Sequence, residues 1–276
     1  MKDKLRLLAV LAHPDDESLG FGGTLAKYAA EGIETHLVTA TRGEAGRFGA
    51  AGRGRDPVEV GSVREAELRA AAAVLGVSEV SILGYPDGAV DKVPHATAIA
   101  AIVAHIRRIQ PDIIVTFGPE GGYGHPDHIA VSQFATAAAL CAADSEYVLD
   151  QNALQPGLDS GPHRISKLYY LAWRNDKWKA YQAAFRKLTS TVDGVERQAT
   201  PWPDWAVTTA IDTQSVWPIV WEAVCRHETQ ISIYGQLREL TTEQQMALWG
   251  SQEFYRVFST VNGGRTLETD LFEGLR

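Results

Sequence analysis

Short apolar runs alternate with segments of helical periodicity through the first half of the chain. The apolar runs predict buried strands at residues 5–11, 35–40, 80–83 and 112–117. Between and after them, helical patterns cover residues 18–31, 61–75, 97–109 and 129–142. This alternation is typical of parallel sheets with right-handed crossovers. We therefore expect an α/β fold, a Rossmann-like three-layer α/β/α arrangement whose ligands bind at the carboxyl ends of the strands.

The second half of the chain is less regular. Its patterns predict strands at residues 167–172 and 206–211 and helices at residues 176–188, 215–234 and 243–250, whereas residues 144–164 are rich in turn formers. With 276 residues, 45% of them apolar, the chain can bury the core of one domain. We expect a single domain over 1–276, in which 1–143 carry the core and 144–276 complete the pocket.

Composition narrows the class of partner. The net charge of −8 argues against nucleic acid and against membrane surfaces, which both attract clustered positive charge, and favours a small-molecule partner. Cys141 and Cys225 lie in apolar helical patterns, so we expect no disulfide. No apolar stretch is long enough to span a bilayer, and the start of the chain lacks a cleavage site, so we expect a cytoplasmic protein without membrane insertion. A homo-oligomer is compatible with all of this.

The candidate chemistry lies at two strand ends. His-Pro-Asp-Asp-Glu follows the first strand, and Gly-His-Pro-Asp-His follows the fourth. Two imidazoles and one carboxylate with an open position form the ligand set of a catalytic zinc site, where water bound to the ion has a pKa of about 7. We expect His13 and Asp16 to bind the ion with one imidazole of the second segment. The spacing does not choose between His125 and His128, although His128 is the better ligand by position.

Neighbouring groups would supply the acid and base. Asp15 stays free beside the metal ligands and can accept a proton from water. If the carboxylate of Asp127 reaches an imidazole nitrogen, it would fix the tautomer and favour imidazolium. A charged His125 would then stabilise an oxyanion or protonate a leaving amine.

Two glycine-containing segments have different interpretations. Residues 41–57 combine five glycines with four arginines and no periodicity, which predicts a cationic loop that closes over substrate or lies on the surface. Gly20-Phe21-Gly22-Gly23 lacks the spacing of a dinucleotide-binding turn, so we attribute it to helix packing.

The two strand-end segments resemble the hallmarks of the N-acetylglucosaminyl-phosphatidylinositol de-N-acetylase family, PIG-L or LmbE-like, which includes deacetylases of the mycothiol and bacillithiol pathways. Residues 39–46 are similar to the family's segment after the second strand, and residues 64–68 to its Arg-x-x-Glu-Leu helix. Residues 226–230 are similar to its His-x-x-Gln helix motif. The resemblance covers the first half of the chain densely.

The resemblance implies roles for the residues at these positions. It implies that zinc is bound by His13, Asp16 and His128. It also implies that Asp15 is the general base and that a charged His125 lies near the scissile carbonyl.

Further positions would contact substrate. Tyr123 matches a tyrosine that polarises the carbonyl, and Arg64 and Asp87 match substrate-contacting positions. We expect Arg42 and His227 to bind substrate as well. These assignments come from the resemblance.

We therefore expect a zinc-dependent hydrolase that removes an acetyl or similar acyl group from the amide nitrogen of an N-acetylglucosamine-type substrate. The substrate would be an N-acetylated amino sugar or a thiol conjugate, and Fe²⁺ is the alternative ion. Two other functions fit the same residues: a hydratase or lyase that adds water to a conjugated acid, and a protein that binds metal or sugar without turnover.

Overall fold

The structure is a computed structural model that describes residues 4–49, 52, 54–149, 161–185, 189–192, 194–198, 201–232 and 235–276. Within this part of the chain, no helix has the length and apolar content needed to cross a membrane. The expected cytoplasmic location stays a prediction.

A seven-stranded sheet forms the centre of the molecule. The strands of the structure are β1 (Arg6–Leu11), β2 (Glu34–Thr39), β3 (Glu79–Ile82), β4 (Ile113–Thr116), β5 (Lys167–Leu171), β6 (Ser190–Val192), β7 (Val195–Arg197), β8 (Thr209–Asp212) and β9 (Ser251–Ser259). The order in the large sheet is β3-β2-β1-β4-β5-β9-β8, and β6 pairs with β7 in a separate hairpin. Strands β1 to β5 run parallel, and β9 runs antiparallel to β5 and β8. The predicted α/β fold with a mostly parallel sheet is confirmed.

Helices follow most of the parallel strands. They are α1 (Asp16–Leu19), α2 (Gly22–Ala30), α3 (Pro57–Val74), α4 (His95–Ile109), α5 (Gly121–Gly124), α6 (Pro126–Cys141), α7 (Asn175–Phe185), α8 (Trp217–Arg226), α9 (Glu228–Ile231) and α10 (Thr242–Trp249). Two of them are single turns in the loops that carry the candidate chemistry, α1 after β1 and α5 after β4.

The register of the central strands positions the site. β1 and β4 are almost wholly buried, because side chains of a parallel strand with layers on both faces meet apolar neighbours on either side. They are adjacent, with Leu7 opposite Ile113 and Ala9 opposite Val115. Since the strands are parallel and in register, the loops that follow them emerge side by side at the carboxyl edge of the sheet.

Two predicted helices are interrupted in the structure. The helix expected at residues 18–31 is broken into α1 and α2, with Gly22 and Gly23 so close to the Val220 and Thr213 side chains that an added Cβ would lie 2.9 Å from each. The interpretation of these glycines as helix packing is thus supported. The helix expected at 215–234 ends at Arg226 and resumes as α9; residues 233 and 234, like 186–188 and 150–160, lie outside the described residues.

The second half of the chain extends the same sheet. β5, β8 and β9 all come from residues 144–276, and β9, the longest strand, was not predicted from the sequence. The strand expected at 206–211 begins at Thr209, because residues 204–206 form a turn of 3-10 helix. The division into a core and a C-terminal elaboration of one domain stays a prediction.

Candidate metal centre and active site

The metal-ligating atoms of three side chains converge where the loops after β1 and β4 meet. His13 Nδ1 lies 3.1 Å from His128 Nε2 and 3.6 Å from Asp16 Oδ2. His128 Nε2 lies 3.4 Å from Asp16 Oδ1. Bonds of about 2.0–2.1 Å to a tetrahedral zinc ion would separate its ligand atoms by roughly 3.4 Å. The spacing and chemistry of these three side chains therefore fit a zinc-sized divalent cation.

Local contacts hold each of these side chains in place. The backbone N–H of His13 donates to Asp16 Oδ2 over 2.7 Å, which ties the carboxylate back to the end of β1. The His128 ring stacks on Phe117, with ring centroids 4.0 Å apart. All three side chains are buried or nearly so, with exposures of 9% for His13, 11% for Asp16 and 3% for His128.

The far side of the His13 ring contacts two carboxylates. His13 Nε2 lies 3.1 Å from Asp127 Oδ2 and 3.2 Å from Asp87 Oδ1. The Asp127 carboxylate also accepts the backbone N–H groups of Gly88 and Val90, at 2.7 and 3.0 Å. A proton on Nε2 leaves the Nδ1 lone pair for a metal ion, and carboxylates in this position orient ligand histidines in many metal sites.

Two other groupings of possible ligands share His13. One is His13 with Asp87 and Asp127, and the other is His13 with His125 and His128. The oxygens of Asp127 are already engaged by backbone N–H groups, so the first grouping is better suited to orienting His13. His125 Nδ1 accepts the backbone N–H of Asp127 at 3.2 Å, which leaves Nε2 available for a ligand in the cavity that His125 lines.

The carboxylates create a negative potential that favours a cation. Burial opposes protonation of His13, but its hydrogen bonds to Asp127 and Asp87 raise its pKa to about 10. Burial raises the pKa of Asp16 to about 7, although the charge of His13 opposes this shift. The opposite holds for Asp87: burial acts to raise its pKa, but His13 lowers it to about 2.

His125 differs from the charged group expected from the sequence. Burial and the charge of His13 lower the pKa of His125 to about 4, so the ring is neutral at pH 7. The carboxylate of Asp127 contacts His13, whereas its backbone N–H donates to His125 Nδ1. Because Nδ1 accepts, the neutral ring carries its proton on Nε2. The expectation that Asp127 would favour imidazolium at His125 is replaced by a fixed neutral tautomer that can donate.

Asp15 lies beside the three donor atoms without joining them. Arg64, only 4% exposed on α3, donates to Asp15 Oδ2 at 3.2 Å, to the Pro14 carbonyl at 2.5 Å and, in a separate contact, to the Gly43 carbonyl at 2.7 Å. Burial raises the pKa of Asp15, with the Arg64 charge opposing it. Arg64 therefore fixes the loop that carries Asp15.

Behind Asp15 is a buried ion pair. Glu17 Oε1 lies 2.6 Å from His227 Nε2, and Glu17 Oε2 accepts the backbone N–H of Asp15 at 3.0 Å. Burial acts to lower the pKa of His227, but the charge of Glu17 raises it above the usual value. Burial acts to raise the pKa of Glu17, but the charge of His227 lowers it below the usual value.

A cavity of about 610 Å³ opens in front of the donor atoms. Asp15, Asp16, His125 and His128 line its inner end together with Tyr123. The remaining walls are largely apolar and aromatic, with one arginine: Leu19, Gly20, Arg47, Phe117, Gly122, Leu171, Trp173, Tyr181, Phe185, Thr189 and Thr191. Such a cavity is large enough for a substrate of two rings.

The other predicted residues fall in different places. The Tyr123 ring lies edge-on to His125 and His128, at centroid distances of 5.9 and 5.2 Å. Arg42 pairs with Glu65 on the exposed surface and does not line the main cavity. Of the loop at 41–57, residues 50, 51 and 53 lie outside the described part of the chain.

Several residues of the site were missed from the sequence. Glu17 ends the His-Pro-Asp-Asp-Glu segment, and its place in that segment is the sequence signal that could have identified it. Arg47 lines the cavity and belongs to the cationic loop. The aromatic wall of Trp173, Tyr181 and Phe185 had no motif to mark it, because aromatic residues after a strand and along a helix are also ordinary core residues. The rings of Trp173 and Tyr181 stack with centroids 4.3 Å apart.

Relatives at the sequence level define the family. The model of the PIG-L family, GlcNAc-PI de-N-acetylase, matches residues 8–139. The 1D-myo-inositol 2-acetamido-2-deoxy-alpha-D-glucopyranoside deacetylase of a Nocardioides species is 35% identical, over 98% of this chain and 98% of its own length. The chain therefore belongs to the PIG-L family.

Solved structures share the fold across most of the chain. The N,N'-diacetylchitobiose deacetylase of Pyrococcus horikoshii superposes with a TM-score of 0.64 at 19% identity, covering 93% of this chain and 85% of that one. The 4-carboxy-2-hydroxymuconate hydratase GalB of Pseudomonas putida gives 0.62 at 18% identity, covering 94% and 99%. Because a deacetylase and a hydratase superpose equally well, these likenesses describe the fold and leave the reaction to the site.

Proposed function

We propose that the chain is a zinc-dependent deacetylase that hydrolyses the acetamide of an N-acetylglucosamine-type substrate. One observation carries the proposal: the donor atoms of His13, Asp16 and His128 lie 3.1–3.6 Å apart with the carboxylate of Asp15 beside them. The relatives support the substrate class, since one that aligns over nearly its full length is a deacetylase of an acetamido sugar linked to inositol.

A zinc ion held by His13, Asp16 and His128 would supply Lewis acidity to a water molecule and to the amide oxygen. Asp15 accepts the proton of the attacking water, and its raised pKa suits a group that must later give that proton back. His125 donates from Nε2 to the oxyanion of the tetrahedral intermediate. Tyr123, at the same end of the cavity, donates its hydroxyl to that oxygen. Asp15 then returns the proton to the leaving amine.

The cavity favours a substrate of two rings. Its inner end holds the polar groups that the acetamide needs, and its apolar walls leave room for a second ring beyond the amino sugar. We expect the second ring to be a sugar, a cyclitol or the conjugated part of a thiol derivative. A hydratase of conjugated acids would need several cations near the substrate, and Arg47 is the one arginine among the described lining residues.

The decisive variant is Asp15→Asn. It keeps the size of the side chain and removes the base, so we expect kcat for release of free amine to fall about 10²- to 10⁴-fold. Zinc content and zinc affinity, measured by metal analysis and by competition with a chelator, should be retained. If the variant deacetylates N-acetylglucosaminyl-inositol at the rate of the parent while zinc is bound, the proposed mechanism is wrong.

A further inference from the structure

Asp15 has a backbone conformation that needs support. Its φ of 111° lies in the left-handed region, which a residue other than glycine rarely adopts. The conformation turns the chain between the end of β1 and α1. A contact that stabilises this turn therefore also sets the direction of the Asp15 carboxylate.

Glu17 makes such a contact from within the fold. Its side chain is fully buried, and its Oε2 accepts the backbone N–H of Asp15 at 3.0 Å. Its other oxygen accepts the Ser18 hydroxyl at 2.6 Å, so both oxygens are engaged. A third carboxylate next to Asp15 and Asp16 is nevertheless unfavourable in a buried site unless a cation accompanies it.

His227 provides that cation from the other half of the chain. It stands between α8 and α9, is 2% exposed, and places Nε2 at 2.6 Å from Glu17 Oε1. It does not line the main cavity, so direct contact with substrate, expected from the sequence, would require it to leave Glu17. The ion pair instead connects the junction of α8 and α9 to the backbone of Asp15 through the carboxylate of Glu17.

We propose that Glu17 and His227 form a buried clamp that holds Asp15 in the geometry needed for proton transfer. Both are positioning residues, because they act through Asp15 and touch neither the donor atoms nor the substrate cavity. Arg64 also holds this loop, through the Pro14 carbonyl and the Asp15 carboxylate. This inference rests on the proposed function, in which Asp15 is the base.

The test compares His227→Ala, His227→Gln and Glu17→Gln in the zinc-loaded full chain, with N-acetylglucosaminyl-inositol as substrate. We expect His227→Ala to lower kcat about 10- to 100-fold, the scale of a misplaced catalytic group. KM and zinc affinity should stay unchanged, because neither substrate nor metal contacts the clamp. His227→Gln, whose amide can still donate to Glu17, should recover part of kcat. The kcat of Glu17→Gln should lie between those of His227→Ala and His227→Gln.

A matched control separates positioning from folding. Glu268→Gln breaks another buried ion pair, that of Lys167 and Glu268 at 2.8 Å, away from the site. It should lower the thermal midpoint and leave kcat unchanged. If His227→Ala fails to fold, His227→Gln and Glu17→Gln carry the test.

Three results would overturn the clamp. The first is full kcat in both His227→Gln and Glu17→Gln. The second is a rise of KM with unchanged kcat, which would make His227 a substrate contact. The third is a loss of zinc affinity that accounts for the loss of kcat. In each case the result for Asp15→Asn still decides the proposed function by itself.

Discussion

At the scale of single residues, the carboxylate of Asp127 supports His13 on the side away from the metal-ligand atoms. Its two oxygens accept two backbone N–H groups and contact His13 Nε2. An asparagine has one acceptor oxygen in place of two, so Asp127→Asn must lose one of these contacts and the charge that orients His13. We expect zinc affinity to fall about 10- to 100-fold, the usual effect of removing such a partner of a ligand histidine.

Competition with a fluorescent chelator measures this loss. Asp91→Asn is the matched control, since Asp91 is exposed and the same substitution there should leave zinc affinity unchanged. Unaltered zinc affinity in Asp127→Asn would show that the carboxylate does not orient His13.

The sequence predicted which residue types would lie together at the site but not the orientation of each histidine ring. His13 and Asp16 were expected from the strand end and from residue chemistry, whereas the choice of His128 over His125 came from its position and from the family resemblance. The partner of Asp127 could not be predicted, because the conformation of the loop directs its carboxylate to His13 and not to His125, which is only two residues away. The charge state of His125 depends on that same conformation.

At the scale of elements, the loop between β4 and α6 depends on Gly121. Its φ is +68°, and an added Cβ would lie 2.7 Å from Ile129 Cγ1 and 3.1 Å from His128 Cβ. Gly121→Ala should therefore shift His128 as well as strain the loop. We expect a loss of about 1–3 kcal/mol in the free energy of unfolding, together with weaker zinc binding.

Chemical denaturation and zinc titration measure the two effects. The control is Gly263→Ala, because an added Cβ there has nothing within 4 Å. If Gly121→Ala keeps the zinc affinity of the parent, the conformation of this loop does not determine the position of His128.

The elements that the sequence predicted are those whose pattern is local. β1 and β4 are continuous apolar runs and were identified from the sequence. β9 was missed because its buried positions include Gln252 and Glu253, which read as solvent-facing. Gln252 bonds the backbone N–H of Thr24 at 2.6 Å, a partner 228 residues away. Only the tertiary structure makes such a strand favourable.

At the scale of the whole molecule, both halves of the chain build the site. The first half supplies the donor atoms and Asp15. The second supplies the aromatic wall of the cavity and, through His227, the partner of Glu17. Each half therefore carries residues that the other needs, and the connection between them is the shared sheet, in which β5 pairs with both β4 and β9.

The pH dependence of stability should report on how the C-terminal strands are joined to that sheet. Glu268 accepts hydrogen bonds from Lys167 and Tyr169 on β5 and from Thr209 on β8. Burial acts to raise its pKa, but these bonds lower it from 4.5 to about 2. The unfolded chain therefore binds this proton more readily, so the contribution of Glu268 is present above pH 4.5 and is lost as the pH falls towards 2. We expect Glu268→Gln to cost about 3 kcal/mol at pH 7, as for other broken buried pairs. Urea unfolding of parent and variant should show this difference shrinking between pH 4.5 and 2; a difference that is the same at every pH would mean that the carboxylate charge does not join these strands.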